Sequence, residues 1–189
     1  MKNLFETFQS SAKELKKPVT VAITAMLLAL NMAIKSFTIP VGSFMKIGFS
    51  FLTNAVCGML YGPIAAGLMA GVGDIIGYMM NPMGQPWFPG FTLNAVLAGM
   101  IYGVFFYKKK ITFARALTAK VLVSVVVNVI LGTLWLYILY GPGMLTALPI
   151  RAIKELIKCP VDAALIYFCA KVLQRVYSPN RTGSGASFS

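Results

Sequence analysis

The chain contains no histidine, and only five of its 189 side chains are acidic. Histidine is the side chain that ordinarily titrates near neutrality and the commonest metal ligand, so its absence removes the usual general base and most zinc or iron sites. Cysteine is scarce as well. Cys57, Cys159 and Cys169 lie in apolar runs without C-x-x-C spacing, and read as small hydrophobes, not as a disulfide framework or a metal site. No cofactor and no metal are expected. Charged residues make up only 12% of the chain and are clustered, whereas 58% is hydrophobic before its 17 glycines are counted. Soluble domains reach about 45–50% apolar with glycine included. The ten-residue alternation of an outer-membrane barrel is missing. The first apolar run is too long for a signal-peptide core and lacks a small-residue cleavage site. An all-α polytopic membrane protein fits what is left.

Residues 1–17 carry Lys2, Lys13, Lys16 and Lys17 with Glu6 and Glu14, and suit either an amphipathic helix on the membrane or a disordered cytoplasmic N-terminus. Residues 18–177 form the membrane domain. Apolar runs predict six spans, near 18–34, 47–60, 64–80, 91–107, 117–139 and 148–176. Pro18 suits a helix start, and Gly62-Pro63 forces a break. In the first span Ala25, Ala29 and Ala33 repeat every four residues, with Ala22 one turn earlier. Such a ridge lets another helix approach closely, from inside the bundle or from a partner. Gly67, Gly71, Gly73 and Gly77 predict close backbones along the third span. The connector 35–46 alternates Phe37, Ile39 and Val41 with polar neighbours, as a short extended piece does. Residues 178–189 read as a flexible tail, with a Gly-Ser-Gly-Ala-Ser run of the kind added by an expression vector.

Six spans put both termini on one side, together with twelve of the seventeen cations. The positive-inside rule makes that side cytoplasmic. Membrane topology thus accounts for most of the +12 net charge, and nucleic acid is not expected as a partner. Connectors 35–46, 81–90 and 140–150 then face outward together. The middle one holds Pro82, Pro86 and Pro89, which bar regular helix, and is uncharged, with Trp87 and Phe88 beside Phe91. It suits an interfacial aromatic belt or a lid over a cavity.

Ionisable groups within spans carry the functional signal. Arg151, Glu155, Lys158 and Asp162 recur on one face of the last span. At mid-membrane each costs roughly 2.5–3.5 kcal/mol, so this face should look into the bundle. Pairing of Arg151 with Glu155 and of Lys158 with Asp162 explains those four. It leaves Lys154, Lys46 and Lys35 as an excess of positive charge at the outer mouth, suited to an anionic solute. Asp74 stands alone in sequence and needs donors from another span or from a ligand. A carboxylate can take two parallel N–H bonds from a guanidine-like edge such as that of a pterin. Asn94 and Asn128 can complete such an edge or simply bond between helices. Trp87 and Phe88 can stack on a flat heterocycle.

Three stretches carry a family resemblance: Trp87-Phe88-Pro89-Gly90-Phe91-Thr92-Leu93-Asn94-Ala95 with Gly99-Met100-Ile101-Tyr102-Gly103; Ile39-Pro40-Val41-Gly42-Ser43-Phe44 with Lys46-Ile47-Gly48-Phe49; and Gly58-Met59-Leu60-Tyr61-Gly62-Pro63 leading to Gly73-Asp74. Over about 19–176 the chain resembles the folate-type S component of energy-coupling factor (ECF) vitamin transporters. The resemblance implies a six-helix substrate-binding subunit in a bacterial cell membrane, with both termini cytoplasmic. It would capture folate outside and dock on a transmembrane coupling protein (T component) that carries two ABC-type ATPases. The missing Walker lysine motif agrees with ATP hydrolysis residing in partners. On that template Ala25 and Ala29 meet the coupling protein, and 35–46 and 81–90 gate the pocket. Asp74, Asn94 and Asn128 read the pterin edge, Trp87 and Phe88 take the rings, and Lys46, Arg151 and Lys154 take the glutamate carboxylates. Two other classes stay open: a membrane enzyme using Asp74 with Asp162, disfavoured without histidine or metal, and a stand-alone channel or exchanger. Within the family, thiamin, riboflavin or biotin are the other vitamins; cationic thiamin fits the outer cations poorly, and riboflavin lacks two carboxylates.

Overall fold

The computed structural model describes residues 2–36, 39–40, 46–47, 49–80, 87–109, 111–141, 143 and 148–177. Most of connector 35–46, residues 142 and 144–147 of connector 140–150, residues 81–86 of the third connector and the predicted tail lie outside the described residues. In chain order the elements are α1 (Lys2–Leu15), α2 (Pro18–Ser36), β1 (Ile39–Pro40), β2 (Lys46–Ile47), α3 (Ser50–Met80), α4 (Pro89–Phe106), α5 (Phe113–Leu122), a π-helical segment (Val123–Leu131), α6 (Gly132–Tyr140) and α7 (Leu148–Tyr177). The short ladder pairs Ile39 with Ile47 and Pro40 with Lys46 in antiparallel register, the extended piece expected of that connector. Among the described residues, four helical stretches are long and apolar enough to cross a membrane: Pro18–Lys35, Ser50–Met80, Pro89–Phe106 and Phe113–Tyr140.

Helix α3 is two helices joined at Gly62, whose φ of 86° and ψ of −172° lie outside the helical region, with Pro63 next. The break expected from Gly62-Pro63 is therefore real, and it exposes backbone groups inside an apolar bundle. Ser11 of α1 answers it: its buried Oγ donates to the Tyr61 carbonyl (2.7 Å) and accepts from the Ile64 N–H (3.1 Å). One hydroxyl thus closes the end of one helix and the start of the next. Residues 1–17 accordingly include a folded, docked helix. Leu15 packs against the cluster of Cys57, Tyr61, Ala65, Ala66 and Met69.

The tightest seam lies between α3 and α4. A Cβ placed on Gly99 would sit 2.5 Å from the Ala66 carbonyl oxygen, and one on Gly58 2.8 Å from the Gly103 nitrogen. A Cβ on Gly103 would collide with the Pro63 backbone. Backbone rests on backbone here, the geometry small residues permit inside lipid. Gly67 and Gly71 meet Met100 and Val96 of α4, while Gly73 faces Leu28 and Met32 of α2. The glycine-rich third span thus serves close packing on both sides, as expected. Beside this seam, Tyr102 and Phe106 stack at 6.0 Å and join Ala116, Ala119, Val123, Val127 and Ile166 in a second buried cluster.

Overpacking a core costs about 1–3 kcal/mol, and at Gly103 no side chain can swing aside because the obstacle is backbone. Gly103→Leu is therefore predicted to abolish the folded state or lower its unfolding midpoint sharply in detergent, whereas Gly143→Ala, a position with open space around it, should not. Equal midpoints for the two variants would contradict the seam.

Candidate functional site

The N-terminal turns of α4 organise the polar groups singled out from the sequence. Pro89 opens the helix and Phe88 precedes it in extended conformation. On one side Thr92 Oγ1 donates to Asp74 Oδ2 at 3.0 Å, which supplies a donor that the isolated carboxylate needs. On the other side Asn94 is engaged by both amide atoms. Its Oδ1 accepts from Trp135 Nε1 at 3.0 Å, and its Nδ2 donates to the Val127 carbonyl at 3.3 Å. Trp135 also packs on Phe88, with ring centroids 5.6 Å apart. Phe88 meets Phe91 edge-on at 6.0 Å. The α4 start thus gathers Asp74, Phe88 and Asn94 at one end of the bundle. Trp87 is nearby in sequence and 48% exposed.

Asn128 belongs to the next layer. Its Nδ2 donates to Glu155 Oε2 at 3.2 Å, and Ser124 Oγ donates to the same oxygen at 2.8 Å. Both donors stand on the π-helical segment, whose wider turns displace side chains from the usual helical stripe. Asn128 therefore fixes Glu155, and the expected interhelical role of this amide is made to a carboxylate. The backbone of Lys46 is held in β2 and that of Arg151 and Lys154 in α7; their side chains lie outside the described residues.

Two cations differ from expectation. Lys120, grouped from sequence with the cytoplasmic side, is buried, and its Nζ lies 2.8 Å from Asp162 Oδ2, with both side chains at most 5% exposed. Lys158, the expected partner, is farther at 3.8 Å. Burial favours the span-to-span pair because an unpaired ammonium in hydrocarbon is the costlier alternative. The Phe51 ring stands 4.6 Å from the Lys120 ammonium and 5.9 Å from that of Lys158. Lys35, expected as a free cation at the mouth, donates to the Gly73 carbonyl at 2.7 Å. Sequence reading missed Thr92, Ser124 and Trp135; only the proximity of Thr92 to Asn94 in the α4 start hinted at any of them.

A small apolar hollow, no more than water-sized inside, lies elsewhere, lined by residues including Leu52, Met59, Phe106 and Ile166. Without a polar group it cannot orient a charged solute. The polar side chains singled out from the sequence gather instead at the α4 start.

Residues 19–170 match the family described as the ECF transporter, substrate-specific component. The chain belongs to that family: it is an integral membrane component of a transporter, not an enzyme. It is 36% identical over 167 residues to the folate transporter FolT of Clostridium novyi (strain NT), an alignment covering 88% of this chain and 96% of the relative. It is 31% identical over 153 residues to folate transporter FolT of Leuconostoc mesenteroides, covering 77% and 81% respectively. A solved structure described as FolT bound with folic acid superposes with a TM-score of 0.73 at 37% identity, covering 80% of this chain and 91% of that one.

Breaking one partner of a buried ion pair costs about 3–5 kcal/mol, whereas replacing both by apolar residues is often neutral. Lys120→Met alone is therefore predicted to destabilise strongly, and Lys120→Met with Asp162→Leu to recover most of the loss in thermal unfolding. A double variant no more stable than the single one would mean that each group has other partners.

Proposed function

We propose that this chain is the folate-binding subunit of an ECF-type importer, capturing folate outside a bacterial cell for ATP-driven uptake by partner subunits. One observation carries the proposal: a solved relative at 37% identity and a TM-score of 0.73 holds folic acid. In this reading the two parts of α3 are separate crossings, which with α2, α4, the Phe113–Tyr140 stretch and α7 makes six, and both termini are cytoplasmic. The burial of Lys120 does not disturb that orientation, because eleven of the seventeen cations remain on the side of the termini.

Asp74 retains Oδ1 and part of Oδ2 for the pterin edge while Thr92 holds its rotamer. Asn94, oriented by Trp135 and Val127, keeps one N–H and one lone pair for the same edge. Phe88 and Trp87 take the rings, with Phe88 already propped by Trp135. Lys46, Arg151 and Lys154 are assigned to the glutamate carboxylates, and Asn128 acts through its hold on Glu155 one turn from Arg151. The partner is a transmembrane coupling protein with two ABC-type ATPases. Its proposed landing strip is α2, where Ala22, Ala25, Ala29 and Ala33 all lie exposed. The opposite face of α2 is tied down: Asn31 Nδ2 donates to the Ser50 carbonyl at 3.0 Å and to Thr53 Oγ1.

Two predictions test these roles. A charge-assisted bond to a carboxylate contributes about 1.5–3 kcal/mol, so Arg151→Ala should weaken folate roughly ten- to hundred-fold. Pteroic acid, which lacks the glutamate, should be affected much less in equilibrium titration of the solubilised protein; equal losses would remove Arg151 from the carboxylate role. Ala25→Trp should leave folate binding intact and block uptake by the assembled transporter in proteoliposomes. Lost binding would instead show that the ridge packs within the bundle.

A further inference from the structure

The corner between α1 and the turn after α4 has a composition that vitamin capture does not use. Ser10 Oγ lies 3.1 Å from the Tyr107 hydroxyl, and Lys108 Nζ donates to Ser10 Oγ at 3.0 Å. The Lys108 ammonium also stands 5.1 Å from the centroid of the Tyr107 ring. Lys13 lies one helical turn beyond Ser10 on the same face of α1, which brings a second cation to that turn. Lys109 follows, and Lys13, Lys108 and Lys109 are all exposed. The acids of α1 do not neutralise them: Glu14 is engaged with Lys17 at 3.0 Å, and Glu6 is a single charge one turn the other way from Ser10. Lys108 is also the one described residue other than glycine with a positive φ, 53°. A side chain bearing a Cβ takes that conformation at a cost, and such strain gathers at binding sites. Here it turns the ammonium back onto α1.

We propose that Ser10, Lys13, Tyr107 and Lys108 form a binding site for the phosphodiester of an anionic phospholipid of the membrane leaflet on the side of the termini. One ammonium and two hydroxyls in contact, with a second cation one turn along α1, match a singly charged phosphodiester with several acceptor oxygens. The apolar bundle beside Tyr107 receives the acyl chains. The occupant is lipid because the corner stands at the end of α4, where a membrane-crossing helix meets its headgroup layer. Ser11, on the neighbouring residue, holds the α3 break, so an occupied site also pins the helix that closes that break. The choice of leaflet rests on the proposed orientation of the termini.

The test compares full-length protein in vesicles of phosphatidylcholine alone with vesicles in which part is replaced by phosphatidylglycerol. Thermal unfolding and folate titration are both recorded. The anionic lipid should raise the unfolding midpoint of the natural chain by several degrees. Lys13→Gln with Lys108→Gln should lose most of that shift, while Lys16→Gln with Lys171→Gln, which removes equal charge from other exposed positions, should keep it. Ser10→Ala, with every charge in place, should lose about half, and keeps the test decisive if the double variant does not fold. Absence of a shift, equal loss in the control pair, or equal stabilisation by inorganic phosphate in detergent would each overturn the site. Failure of the natural chain to bind folate in the same samples would count against the proposed vitamin and leave the lipid result standing.

Discussion

Backbone-to-backbone contact between α3 and α4 sets the geometry on which the site depends. Because Gly58, Gly99 and Gly103 leave no side chain between the two helices, neither can slide or rotate without main chain striking main chain. In lipid there is no hydrophobic driving force for one helix to seek another, so close van der Waals fit and interhelical hydrogen bonds carry the association. That fixed register brings Thr92 within reach of Asp74 eighteen residues earlier, and turns Asn94 away from α3 towards Val127 and Trp135. Asp74 and Asn94 are thus held on opposite flanks of one rigid helix start.

Hydrocarbon surroundings then dictate how the remaining polar groups are spent. Glu155 is held by Ser124 and Asn128, and Lys120 and Asp162 hold each other, all within the bundle. The Lys120 ammonium reaches Asp162 Oδ2 by proximity and charge, since that oxygen makes no directed hydrogen bond. Once those pairs are formed, little ionic freedom is left in the inner half of α7. On the proposed function, positive charge for an anionic solute is assigned to the first turns of α7, where Arg151 and Lys154 are placed in sequence.

Much of this was legible before any coordinates. The helical membrane class, the break at Gly62-Pro63, the tight packing of the glycine-rich third span and a helix at the end of the proline-rich connector all follow from local rules of proline, glycine and hydropathy, although that helix opens at Pro89 and not at the expected Phe91. Periodicity also placed the ionic face of α7 towards the bundle. What stayed hidden was partner choice across spans. Nothing in sequence distance says that Lys120 would outcompete Lys158 for Asp162, because the nearest neighbour in sequence is the natural guess until burial is known. Ser124, one turn before Asn128, was missed because nothing in the sequence shows that this face meets Glu155, and Trp135 lies beyond the π-helical segment, whose wider turns shift its register. Ser11 was unreadable because its role exists only once a helix break is docked against it.

Helix α2 shows how one element can serve two associations in the same solvent. Towards α3 it offers polar anchors: Asn31 to the Ser50 carbonyl and Thr53, and Lys35 to the Gly73 carbonyl. Directed bonds like these resist shear, which suits an attachment within one chain. Away from α3 it offers alanines and exposed Val21, Met26 and Leu30, with no group that would be stranded in hydrocarbon if nothing covered it. A face that is content in lipid yet smooth enough for close approach can be joined and left at small cost in either state. Permanent contacts therefore fall on the polar side of α2, and a reversible partner, if it is to come and go within the bilayer, is served by the alanine side.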